Sequence, residues 1–192
     1  MKRIFVLMSV VVIALALLSC NGKKNEGNEQ EAQAAKVMTV DEMLAGAEKL
    51  VDDTVTVEGL CTHLCSHSGR KMFLMGSDES QMLRVESVEL GEPFKQECVE
   101  HNVTVRGIVR EERIDEEYLK QWEEELANME QHGDGEAGCA TEKKARNESD
   151  EANTTEKRIA DFRTKIAERQ ASEGKAYLSF FHVDALDYNI SE

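Results

Sequence analysis

Residues 4–18 are apolar at every position except Ser9, and they follow the cations Lys2 and Arg3. A charged start followed by a hydrocarbon run is the pattern of a secretory signal. The run is shorter than the about 20 apolar residues a helix needs to cross a bilayer. Residues 21–35 then carry no large apolar side chain. Such a stretch cannot bury a core and reads as a flexible tether. Globular patterning starts at Val37. Met43, Leu44, Ala47 and Leu50 fall at helical spacing behind Asp41, which is placed to cap them. Residues 54–59 alternate and are β-branched, residues 71–76 and 82–85 form two further apolar runs, and Gly76, Ser77 and Asp78 mark the turn between them. Pro93 opens a helical turn that sets Phe94 and Cys98 four apart on one face.

Val103-Thr104-Val105-Arg106-Gly107-Ile108 repeats Val55-Thr56-Val57-Glu58-Gly59-Leu60 almost residue for residue. In both, the apolar parity switches at the glycine, which predicts a bend or bulge there. Residues 175–190, with Tyr177, Leu178, Phe180, Phe181 and Val183, supply a last strand. Five strands, with a short helix between the third and fourth and two glycine-marked strands, resemble an OB-fold, in which the first and fourth strands are neighbours. The expected class is therefore β-rich α+β.

Residues 115–174 interrupt this pattern between the fourth and fifth strands. Leu119, Trp122, Leu126 and Met129 repeat at three-four-three spacing, and Ile159, Phe162 and Ile166 at three-four, the seam of a helical hairpin of coiled-coil type. Its tip, residues 132–153, has three glycines and little apolar content, and is expected to be mobile. The hairpin holds 9 basic and 17 acidic residues, and residues 37–114 hold 8 and 15. Both parts are strongly acidic, which disfavours nucleic acid, because Lys and Arg neutralising phosphates supply most non-specific affinity. A charged amphipathic hairpin serves either as a solvated buttress of its own domain or as an arm for a protein partner.

The apolar run ends in Leu17-Leu18-Ser19-Cys20, which resembles the lipobox of bacterial lipoproteins. The resemblance implies cleavage after residue 19, a diacylglycerol on the Cys20 thiol and an acylated amine, a palmitate-type anchor. Several buried chains at about 0.8 kcal/mol per CH₂ hold a protein to a membrane where one chain would be marginal. The tether, residues 20–36, is charge-balanced and leaves the membrane and the face open. With the Val-Thr-Val-x-Gly strands and the segment from Cys61 to Lys71, the chain from residue 37 to 192 resembles small single-OB-domain lipoproteins of Bacteroidetes. That family implies the fold and a cell-envelope, membrane-anchored location, and no catalytic residues. The reading is a lipid-anchored, non-enzymatic binding or assembly module.

One segment carries candidate chemistry. Cys61, His63, Cys65 and His67 alternate directly after the first strand, so an extended backbone projects all four from one face. With Leu60 and Leu64 pointing into the barrel, that face is outward. Thiolate and imidazole are ligands for Zn²⁺ and for copper. Same-face neighbours stand about 6.5 to 7 Å apart, so one ion would need the loop at residues 66–69 to fold His67 back. A metal set, a disulfide or redox thiol pair, and incidental strand residues remain alternatives. Cys98 is expected beside Phe94 in the core, and Cys139 in the tip. Arg70, Lys71, Arg84, Arg106 and Arg110 are the cations a nucleic-acid reading would use; the acidity of their region and the envelope address oppose it.

Overall fold

The computed structural model describes residues 36–66, 68–129, 140–146, 148 and 154–191. The elements are β1 (Val37–Thr39), α1 (Val40–Leu50), β2 (Thr54–Leu64), β3 (Lys71–Met75), β4 (Met82–Glu86), β5 (Asn102–Asp115), α2 (Glu116–Met129), α3 (Ala140–Ala145), α4 (Thr155–Glu173) and β6 (Tyr177–Ile190). A single 3₁₀ turn, Gln96–Cys98, lies between β4 and β5. Sheet order is β1-β2-β3-β4-β6-β5, and β5 pairs back onto β2. Strands β2 to β6 thus close a five-stranded OB-type barrel, antiparallel except for the β4–β6 pair. The helical insertion joins β5 to β6, and β1 is an extra strand lying parallel to β2.

Closure rests on the repeated motif. Val55 pairs with Gly107, Val57 with Val105, and Gly59 with Val103. Two copies of Val-Thr-Val-x-Gly therefore lie antiparallel, each glycine opposite the other copy's first valine. The valines fill the barrel with Met72 and Leu74 of β3, Leu83 and Val85 of β4 and Val183 of β6, while α1 inserts Val40, Met43 and Ala47.

Parity does not switch at the glycines. Val55, Val57 and Cys61 are all buried, and the irregularity of β2 lies between Cys61 and His63. On β5 the buried series Val103, Val105, Gly107 and Val109 is unbroken, and the register shift lies at Arg106/Gly107 against β6. Close approach, not a bend, requires the glycines. A Cβ at Gly107 would sit 2.4 Å from the Asp184 carbonyl oxygen, and one at Gly59 would sit 2.7 Å from Val40 Cγ2.

Three local expectations change. Thr39, not Asp41, caps α1: its hydroxyl accepts from Glu42 N–H while the Glu42 carboxylate accepts from Thr39 N–H. Asp41 instead accepts from the Ser77 backbone and hydroxyl, tying α1 to the β3–β4 turn. Helical geometry after Pro93 is confined to the turn at Gln96–Cys98, yet Phe94 and Cys98 both reach the core, with Phe94 edge-on to Tyr188. Residues 132–153 contain α3, an element that the glycine-rich pattern had concealed.

The buried backbone at Gly107 generates the first prediction. Gly107→Ala should destabilise the chain by roughly 1–3 kcal/mol or more through overpacking. Gly46→Ala in α1, where a Cβ meets nothing closer than Leu50 at 3.4 Å, should stabilise it by about 0.5–1 kcal/mol. Urea unfolding of both variants checks the pair.

Candidate functional site

Alternation along β4 sends Leu83 and Val85 inward, so Met82, Arg84 and Glu86 face outward. Arg84 stands opposite His182 of β6 and Phe73 of β3, and on β6 His182 stands opposite Arg110 of β5. Beyond the barrel, β5 and β6 continue as a two-stranded ribbon to the pair Asp115–Tyr177. Its Ile114, Leu178 and Phe180 pack with Leu119 and Trp122 of α2 and with Ile159, Phe162 and Ile166 of α4, a second core separate from that of the barrel. This core props the insertion over the outer wall as a roof. Asp115 caps α2 by accepting from Tyr118 N–H, and Thr154 caps α4.

Under the roof lies a cavity of about 570 Å³ lined by Arg84, Glu112, Trp122, Glu142, Arg146 and His182 among others. Arg84 is its hub, with a side chain only 7% exposed. The guanidinium lies 2.7 Å from Glu112, 3.0 Å from Glu86 and 3.2 Å from Glu142. Glu142 of α3 also accepts from Lys71 at 2.9 Å, and Arg146 donates to Glu112. Three cations, Lys71, Arg84 and Arg146, thus balance three carboxylates, Glu86, Glu112 and Glu142. On the α4 side, Arg158 grips Glu148 through two nitrogens and lies 4.9 Å from the centre of the Trp122 ring, a cation–π contact.

Burial and pairing oppose each other at these groups. Desolvation acts to raise the pKa of Glu112 and of Glu142, but the cations outweigh it and hold both below the usual glutamate range: Arg146 and Arg84 at Glu112, Lys71 foremost at Glu142. At Arg84 desolvation is likewise outweighed by Glu112, Glu86 and Glu142. His182 moves down, first through burial and then through Arg84. Arg84 can only donate, so His182 Nδ1, 3.2 Å from Arg84 Nη2, is the acceptor and the ring proton sits on Nε2.

Glu86, His182 and Asp184 place one ligand atom each within 4.8 Å of one another. Arg84 engages both Glu86 and His182, and Arg110 engages Asp184, so a metal ion there would have to displace two guanidinium groups. The arrangement suits recognition of a polar molecule by exchange of hydrogen bonds better than it suits cation binding.

The cysteine and histidine ladder is divided by the barrel wall. Cys61 is fully buried in the barrel core, which also holds Cys98, whereas His63 faces outward against Phe73, ring centres 5.9 Å apart. Burial, with the neighbouring Cys98, pushes the Cys61 thiol up to about 12. Leu64 is buried as expected, but Leu60 is only half-buried, because parity runs unchanged through Gly59 and reverses only after Cys61. Cys65 is half-buried at the start of the β2–β3 turn, where its carbonyl accepts from Gly69 N–H. Cys61, Cys65 and Cys98 are free thiols. Cys20, His67 and Cys139 lie outside the described residues. Of the cations a nucleic-acid reading would use, Lys71, Arg84, Arg106 and Arg110 each pair with a carboxylate, and Arg70 donates to the Gly91 carbonyl.

Comparison with known proteins adds little. No family model and no curated protein matches the chain. Among solved structures, a chain named as an aspartyl-tRNA synthetase from Leishmania major Friedlin is similar over 44% of this chain and 17% of its own length, with 16% identity and a TM-score of 0.28. The matched part is a small fraction of that longer protein, and a likeness of this size carries no argument. None of the described residues forms a helix long and apolar enough to cross a membrane.

The groups at the hub are absent from the sequence-level candidates, save Lys71 and Arg84. The one local signal was the pair Glu142 and Arg146, four apart in sequence.

Linkage gives the sign of the pH response. His182 takes up its proton at lower pH in the folded chain than in the unfolded one, so stability falls as pH drops below the ordinary value of 6.5. Glu112 and Glu142 contribute stability above the ordinary 4.5 that is lost as pH falls through their lower folded values. Urea midpoints should therefore decline on acidification in two stages, and His182→Asn should flatten the first. Arg84→Met leaves buried carboxylates without their partner and should cost about 3–5 kcal/mol at neutral pH. That deficit should narrow near pH 4, where the carboxylates can protonate.

Proposed function

We propose that this chain is a lipid-anchored, non-enzymatic binding module of the bacterial cell envelope, in which the barrel wall and its helical roof enclose a small polar molecule. The observation that carries the binding role is the roofed cavity. Its volume of about 570 Å³ falls within the range of about 300–1,000 Å³ typical of small-molecule sites. It also lies on the strand face and beneath the fourth-to-fifth-strand connection that OB-folds use for ligands. The titratable groups facing it are tied to one another as ion pairs, which favours recognition over proton transfer.

The anchor and the address rest on the lipobox at Cys20, and with them the similarity to single-OB-domain lipoproteins of Bacteroidetes. The outer side of the insertion, where Glu117 and Glu124 are exposed on α2, is the surface for an envelope protein partner.

Two measurements test the proposal. Cys20→Ser should abolish acyl labelling and membrane retention; labelling that persists would remove the anchor. Trp122 is the single tryptophan of the chain and lines the cavity, so its emission reports occupancy. A low-molecular-weight extract of cell envelopes should shift that emission saturably, and no shift would remove the binding role.

A further inference from the structure

We propose that His63, Met75 and Met82 form a site for a soft monovalent metal ion, Cu(I) or its surrogate Ag(I), on the outer wall of the barrel. The three side chains line one pocket of about 400 Å³ with Thr62, Glu79 and Thr141. No residue is shared with the cavity under the roof. The site is independent of that cavity and of the lipid anchor.

The backbone of β2 is shaped to supply the imidazole. Without the irregularity between Cys61 and His63, alternation from Val55, Val57 and Cys61 would carry His63 into the barrel. The extra residue, Thr62, sends His63 outward and Leu64 inward. Bulges of this kind re-aim a side chain at the cost of ladder pairing and recur beside functional sites. His63 comes to lie against Phe73, two residues from Met75 on the same face of β3.

The thioethers come from the next two strands. Met75 and Met82 are cross-strand partners, so their Cβ atoms stand about 4.5–5.5 Å apart, and a diagonal neighbour such as His63 stands about 7–8 Å away. Methionine has three rotatable bonds and closes such gaps readily. The donors therefore belong to three adjacent strands of a closed barrel, a rigid support.

Donor chemistry selects the ion. Thioethers are soft ligands that favour Cu(I), whereas hard cations take oxygen and zinc takes thiolate, imidazole or carboxylate. Two thioethers and an imidazole carry no charge, and a monovalent ion bound to them leaves a single positive charge. Glu79, ion-paired to Lys144 at 2.8 Å on the same pocket, supplies a carboxylate nearby. The buried Cys61 thiol stays out of reach on the far side of the wall.

The test uses the full chain in detergent under anaerobic, reducing conditions, with Cu(I) and separately Ag(I) titrated against a chromogenic chelator. One ion per chain is expected. Met75→Leu and Met82→Leu conserve volume and should each weaken binding by about 10- to 100-fold or more, the range that loss of an outer-shell partner alone can reach. His63→Gln should do the same, and Cys65→Ser should change nothing. X-ray absorption of the unmodified Cu(I)-loaded chain should show two sulfurs and one nitrogen. No binding, binding unchanged in the methionine variants, loss in Cys65→Ser, or a shell without sulfur would each overturn the site.

Discussion

Arg84 could not hold its place on an uncovered barrel wall. A guanidinium facing three carboxylates would there be wet and weakly coupled, as surface ion pairs are. The roof leaves the Arg84 side chain largely buried and strengthens its pairing, while also imposing a desolvation penalty of several kcal/mol on each ion. The arrangement balances only as a whole, because three cations meet three carboxylates and each Arg84 partner comes from a different element: Glu86 from β4, Glu112 from β5 and Glu142 from α3. A six-residue helix such as α3 is far below the length at which a helix is stable alone. Its structure depends on the grip of Glu142 and Arg146 upon the barrel.

The barrel was the legible part of the sequence. Two copies of Val-Thr-Val-x-Gly signalled neighbouring strands, and the register shows them paired antiparallel on each other. The parity argument misplaced the irregularity of β2 because it read Gly59 as a bend, whereas on β5 a register shift does fall at Gly107. At Gly59 and Gly107 the missing side chain admits Val40 of α1 and the backbone of β6. Periodicity records which face is buried; it does not record how near the next layer comes.

The site was largely illegible, for a related reason. Ion pairs between residues 58 and 71 positions apart, as Arg84 and Lys71 make with Glu142, leave no local period. Glycines and charges in the insertion tip looked like a solvated loop, and the same composition serves α3 because its attachments are ionic. The apolar seam of Trp122, Ile159 and Phe162 was readable, since burial repeats at helical spacing. The ladder misled through its regularity: one extra residue at Thr62 was enough to put Cys61 and His63 on opposite sides of the wall.

The continuous β5–β6 ladder also decides how the insertion is held. Its pairing runs unbroken in direction from Val103–Ile190 to Asp115–Tyr177, and α2 begins at the next residue. The α2 root is therefore clamped by hydrogen-bonded backbone, residues 174–176 with the left-handed Gly174 join α4 to β6, and α2 and α4 add their own apolar seam. Among the described residues, α3 is held to the barrel by side-chain charge, Glu142 to Lys71 and Arg84, Lys144 to Glu79 and Arg146 to Glu112. Salt therefore acts unevenly on the enclosure, screening the hold of α3 while leaving the hydrogen-bonded ladder and the apolar seam as they are.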